Sequence, residues 1–128
     1  MERVTGIGGI FFKAKQPKEL GVWYRDHLGV PVDEWGGAAF SWQSEANPSG
    51  VGTTVWSPFE DSSSYFGRPT AQFMINFRVR DLQALLAQLR AAGCAVDEKV
   101  EESEFGKFGW VTDPEGNRVE LWQPPEGQ

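Results

Sequence analysis

The amino-acid sequence predicts an α+β fold: two βαβββ modules pairing into a cupped mixed sheet. Three observations carry the prediction. The chain has 128 residues, the size of one compact domain with a single core. It repeats itself at a spacing near half its length, so one plan is used twice. Within each copy, an apolar strand pattern gives way to a helical stripe and then to short alternating segments.

The repeat is seen by setting "FKAKQPKELGVWYRDHLGVPVDE", from Phe12, over "FRVRDLQALLAQLRAAGCAVDE", from Phe77. Phe12 then matches Phe77, Leu20 matches Leu85 and Arg25 matches Arg90, all at an offset of 65. One deletion in the turn brings Val32-Asp33-Glu34 onto Val96-Asp97-Glu98. Further on, Phe40-x-Trp42 resembles Phe108-x-Trp110, and Val55-Trp56-Ser57-Pro58 resembles Leu121-Trp122-Gln123-Pro124. The modules are drawn at 1–62 and 72–128, with 63–71 as a linker, inside one domain spanning 1–128.

The first module opens with a strand over 5–14. Pro17 suits the first turn of a helix, and Leu20, Trp23, Tyr24 and Leu28 recur at helical spacing as a core-packing stripe. Strands are expected over 30–34, 38–43 and 51–57, with "EANPSG" at 45–50 as the turn between the last two. "SPFEDSSSYFGRPTA" at 57–71 connects the modules, with Tyr65 and Phe66 pinning it down or forming part of a lid. The second module opens at 72–79. Asp81 is a good N-cap, Leu82, Leu85, Leu86 and Leu89 form the stripe, and Gly93 stops the helix. Cys94, just beyond, reads as a small core filler. Strands follow over 95–100, 107–112 and 117–123, and Asp113-Pro114-Glu115-Gly116-Asn117 is a strong turn between the last two.

Composition narrows the function. The net charge is −6, from 12 basic and 18 acidic residues, which argues against nucleic acid and suits a neutral or cationic ligand better. Six Trp and nine Phe are too many for a disordered chain. The single cysteine cannot form an internal disulfide. The N-terminal "MERVTGIGGIFFKAK" is too short for a membrane span and lacks the basic start of a signal peptide, so a cytoplasmic location is expected. "GIGG" at 6–9 lies inside a strand, so it is no phosphate cradle. Ser62-Ser63-Ser64 has no histidine partner for acyl transfer.

With "WYRDHLG" after the first strand, "FMINFRVRDLQALLAQLRAAG" in the middle and "FGKFGWVTDPEGNRVELWQPP" at the end, the whole chain resembles the vicinal oxygen chelate superfamily. That superfamily comprises glyoxalase I, extradiol dioxygenases, fosfomycin-resistance enzymes and bleomycin-resistance proteins. The resemblance implies a metal site on a concave face, with ligands from the first and last strands of each module, and usually a homodimer. Carried over by position, the ligand places are Gly9, Thr54, Met74 and Glu120. Only Glu120 is a strong ligand. Glycine has no side chain, a thioether is too soft for hard ions, and a threonine hydroxyl is a weak donor. His27, the sole histidine, reads as a surface residue near a helix C-terminus. The metal site is therefore expected to be lost, and no cofactor is expected.

Strand alternation then proposes a ligand-binding cup. With Gly9 facing in come Phe11 and Lys13; with Met74 come Asn76 and Arg78; with Glu120 come Arg118 and Trp122; with Thr54 comes Trp56. Apolar surface with a few convergent polar groups is the usual form of a small-molecule site, and indole faces suit planar or cationic ligands. Glu120 has three readings: paired with Arg78 or Arg118, in contact with a ligand, or a metal ligand or general base whose pKa desolvation would raise. The leading expectation is a metal-free binding protein of the resistance or sequestration type. The alternatives are a metal-dependent glyoxalase-like lyase or dioxygenase using Glu120, and an interaction module whose cup is closed off.

Overall fold

The structure, a computed structural model, describes residues 1–43 and 50–128. Among these described residues are two helices and eight strands, the mixed α+β composition expected. It divides into two compact units, one of Met1–Gly8 with Met74–Gln128 and one of Gly9–Phe73.

In the Gly9–Phe73 unit, the second half of β1 (Val4–Ala14) runs parallel to β3 (Thr53–Glu60), with Gly9 opposite Val55 and Lys13 opposite Phe59. β2 (Ala38–Ser41) lies antiparallel on the other side of β3. Helix α1 (Pro17–Leu28) starts at its proline and ends on Gly29, which takes the left-handed conformation (φ 69°) that glycine adopts without steric cost. The helix packs through Gly21, where a Cβ would already lie 3.3 Å from Val32 Cγ1, and through Tyr24, whose ring meets Trp56 at 4.9 Å.

The predicted α1 stripe is only partly realised. Trp23 is 50% exposed and Leu28 63% exposed. One residue along a helix is a turn of roughly 100°, so a helix seated on Gly21 and Tyr24 carries Trp23 off the packed face, where it meets His27 at 5.1 Å. His27 is exposed, as expected. No strand forms over 30–34. That stretch is a local turn in which the Asp33 N–H donates to Gly37 O and the Gly36 N–H to Asp33 O. The turn expected at 45–50 falls on residues 44–49, outside the described ones. β3 runs on to Glu60, and beyond it Phe59 holds both Tyr65 (5.6 Å) and the buried Phe66 (5.1 Å).

In the other unit the strand order is β1, β4 (Phe73–Val79), β8 (Arg118–Gln123), β7 (Gly106–Thr112) and β5 (Ala95–Val96), with β6 (Glu101–Ser103) paired to β7. Helix α2 (Leu82–Ala91) is capped as predicted: the Asp81 carboxylate accepts from the Ala84 N–H at 3.1 Å. Leu82, Leu85 and Leu86 form the buried core with Val79 and Leu121, and Phe77, Val111 and Val119 pack around them. One face of β4 and β8 is thus taken by α2, and alternation sends Asn76, Arg78, Glu120 and Trp122 to the other. The Asp113–Asn117 turn is formed: the Asp113 carboxylate accepts from the Glu115 and Asn117 N–H groups at 2.9 Å each.

Two local expectations fail here. The strand over 95–100 shrinks to β5, since Asp97-Glu98-Lys99 offers no apolar alternation to bury, and the chain then adds the β6–β7 hairpin. Cys94 is exposed rather than a core filler, because the helix stop at Gly93 (φ 80°) ends the leucine stripe before it. Leu86→Ala should cost about 2–5 kcal/mol by leaving a cavity, and Asp81→Ala about 1 kcal/mol by removing the cap. Urea denaturation of the two variants should rank them in that order.

Candidate functional site

Three strands build the site. In the parallel β4–β8 register Asn76 stands beside Glu120 and Arg78 beside Trp122. In the antiparallel β7–β8 register Trp110 stands opposite Glu120 and Phe108 opposite Trp122. Glu120 is therefore flanked on both sides, and each flanking side chain donates to it: Asn76 Nδ2 to Oε1 at 2.7 Å and Trp110 Nε1 to Oε2 at 3.0 Å. Glu120, Asn76 and Trp110 are all no more than 2% exposed. A carboxylate can be buried at tolerable cost only with such donors in place.

With its N–H group committed to Glu120, Asn76 keeps a buried Oδ1 that has no hydrogen-bond partner. Gly8 is what makes room for it. A Cβ on Gly8 would fall 2.0 Å from that oxygen and 2.9 Å from Trp122 Cε3. The β1 residue against this site is thus Gly8, one position earlier than the Gly9 of the sequence expectation. The place a Gly9 side chain would take is filled: Phe11 Cε1 lies 2.7 Å from where its Cβ would stand, and the Phe11 ring packs on Phe59 at 5.3 Å.

Trp122 holds Arg78. The guanidinium carbon lies 5.3 Å from the Trp122 ring centroid, Phe108 stacks on the same ring at 6.2 Å and 10°, and the indole N–H donates to the Phe105 carbonyl at 2.8 Å. Arg78 Nη2 donates to the main-chain oxygen of Gln128. Burial lowers the pKa of Arg78 from the usual guanidinium value, although an arginine remains a cation at neutral pH. Arg118 turns to Asp97, with Nη1 2.7 Å from Oδ2, and lies 5.0 Å over the Trp110 ring. Met74 is wholly buried.

The remaining predicted ligand residues belong to the Gly9–Phe73 unit. Lys13 Nζ donates to the Pro69 carbonyl at 3.1 Å and sits 5.8 Å over Phe66. Trp56 does not share a face with Phe11. In the β1–β3 register Gly9 pairs with Val55, which puts Trp56 beside Ile10 and against Phe12 and Tyr24 of the helix side. By the same one-residue shift, Thr54 is not at the predicted place; its hydroxyl accepts from Trp42 Nε1 at 2.8 Å.

The expectation of an open cup is also corrected, since Asn76, Arg78, Glu120 and Trp122 are buried. Two surface grooves, of about 470 and 310 Å³, are lined by neither Glu120 nor Trp122; of the predicted residues, only Lys13 borders one. The donor chemistry does not fit a divalent ion at Glu120. An indole N–H cannot ligate and an amide donating through nitrogen competes for the same carboxylate. Among the described residues no three His, Cys, Asp or Glu side chains converge.

The glyoxalase-like domain family matches residues 9–122 of this sequence. The chain belongs to that family. Solved structures agree on the fold. A methylmalonyl-CoA epimerase in complex with methylmalonyl-CoA and NH4+ has a TM-score of 0.73 at 16% identity, covering 98% of this chain and 99% of that one. The epimerase from Mycobacterium tuberculosis scores 0.64 at 19% identity, covering 95% and 89%. A glyoxalase/bleomycin resistance protein/dioxygenase superfamily member from Vibrio splendidus scores 0.57 at 14%, covering 96% and 99%. No curated protein matches the chain.

Trp110 and Gly8 were absent from the sequence-derived site. Trp110 was within reach: once 113–117 is a turn, Thr112 pairs with Arg118, and two steps back along each strand set Trp110 against Glu120. Gly8→Ala should destabilise the protein by about 1–3 kcal/mol through overpacking, and Trp110→Phe by about 1.5–3 kcal/mol through loss of a bond to a charged group. Both are measured by urea denaturation.

Proposed function

We propose that this chain is a small-molecule-binding protein of the glyoxalase-like family that works without a metal ion. The binding side is that of β4 and β8 away from α2; Arg78, Glu120 and Trp122 are buried there, so a ligand reaches them only when that side opens. The observation that carries this reading is the state of the Glu120 carboxylate. Both of its oxygens accept N–H groups, and the β1 residue against this site, Gly8, has no side chain to ligate with. Such a carboxylate is structural. That neighbours of the same fold are bound to an acyl-CoA supports use of this architecture for small organic molecules. A homodimer suits the exposed apolar side chains on the strands, Ile7 in one unit and Ile10, Phe40 and Phe73 in the other, since exposed apolar surface favours association.

The competing reading is a metal-dependent lyase or dioxygenase with Glu120 as a ligand. Elemental analysis after equilibration with Zn, Ni, Fe and Mn separates the two. The binding reading expects substoichiometric metal that is unchanged in Glu120→Gln; a full equivalent of metal lost in Glu120→Gln would sink it. A thermal-shift screen of small organic acids, amines and planar aromatics supplies the positive arm. A ligand at a hundredfold excess over its Kd should add about 2.7 kcal/mol of stability.

A further inference from the structure

The side of α1 that packing leaves open borders a groove of about 470 Å³, within the range of about 300–1,000 Å³ found for small-molecule sites. The described residues that line it all belong to the Gly9–Phe73 unit, from the end of β1 through to α1. Glu19 and Leu20 stand four and three residues before Trp23, so the three share one side of the helix. Ala14, Leu20 and Trp23 give the groove apolar wall, and Lys13, Lys15 and Glu19 bring charge to it.

Trp23 is held in place there. Its ring meets Tyr24 edge-on at 5.2 Å and His27 at 5.1 Å, yet it stays 50% exposed. An indole fixed by its neighbours and still open suits stacking by another ring. The lysines are open to an anion. Lys13 spends one N–H on the Pro69 carbonyl, and an ammonium carries three. Among the described residues neither Lys13 nor Lys15 has an acidic partner. Two lysines against one glutamate make a local cationic excess in a chain whose net charge is −6. The groove thus joins an open aromatic surface to a positive rim.

We propose that this groove is a second binding site, and that it takes a planar aromatic acid. The ring of the ligand lies on Trp23, and its carboxylate meets Lys13 and Lys15. Glu19 repels that carboxylate and limits the affinity. The site goes beyond the binding reading above and shares no residue of β4 or β8 with it. It selects an acid over its uncharged counterpart through the lysines, and an aromatic acid over one without a ring through Trp23.

The test is titration of the full chain with naphthoate, with naphthamide as the uncharged counterpart and acetate as the acid without a ring. Binding is read by calorimetry and by the NMR shift of the Trp23 indole N–H, identified by its loss in Trp23→Phe. Naphthoate should move that signal, and naphthamide and acetate should bind more weakly. Affinity for naphthoate should fall about two- to fivefold in Lys15→Gln and rise by a similar factor in Glu19→Gln. In Trp23→Ala it should fall about tenfold. Lys15, Glu19 and Trp23 are exposed, so the variants should keep the fold, which their urea midpoints check. An unmoved Trp23 signal overturns the proposal, as does naphthamide binding as tightly as naphthoate or a Glu19→Gln variant that binds no tighter. None of these results touches the β4–β8 reading, which the metal and thermal-shift measurements decide.

Discussion

The buried carboxylate of Glu120 is the constraint around which this face of the protein is organised. An ionised group removed from water needs donors, and the two neighbouring strands supply one each, Asn76 from β4 and Trp110 from β7. Meeting that need dictates much else. It fixes the orientation of the Asn76 amide, which leaves Oδ1 without a partner, and it requires position 8 to be glycine, because any side chain there would strike that oxygen. It also draws Trp110 fully inside, where its ring supports the Arg118 guanidinium.

Charge on this face is divided between two arginines with different settings. Arg118 has an acidic partner, Asp97, and both are partly open to water. An ion pair of that kind contributes little to stability, of order 0–1 kcal/mol, and its value lies in holding the ring of Trp110 covered. Arg78 is deeper, leans on an indole and reaches a main-chain oxygen. Burial lowers its pKa from the usual guanidinium value, a shift that desolvation of a cation produces.

Much of this was legible in the sequence where the determinants are local. The Asp81 cap, the leucine stripe of α2, the Asp113–Asn117 turn and the inward facing of Glu120 each depend on residues a few positions apart, and each is formed. What escaped depends on partners far along the chain. The facing of Trp56 is set by the parallel register between β1 and β3, which no short-range pattern records, and an alternation counted from the wrong residue sends every side chain to the opposite face. The partial burial of α1 follows from its seat on Gly21, a residue that an apolar count ignores. The return of Gln128 onto Arg78 had no sequence signal beyond a Pro-Glu-Gly that reads as an ordinary turn.

The ring of Phe11, lodged where a side chain on Gly9 would begin, has a consequence for the history available to this protein. A histidine introduced at position 9 alone collides with that ring, and a smaller residue at 11 alone leaves a void beside Phe59. Each replacement made alone is destabilising, the first by overpacking and the second by a cavity. A route from here to a liganding residue at position 9 therefore needs the two changes together.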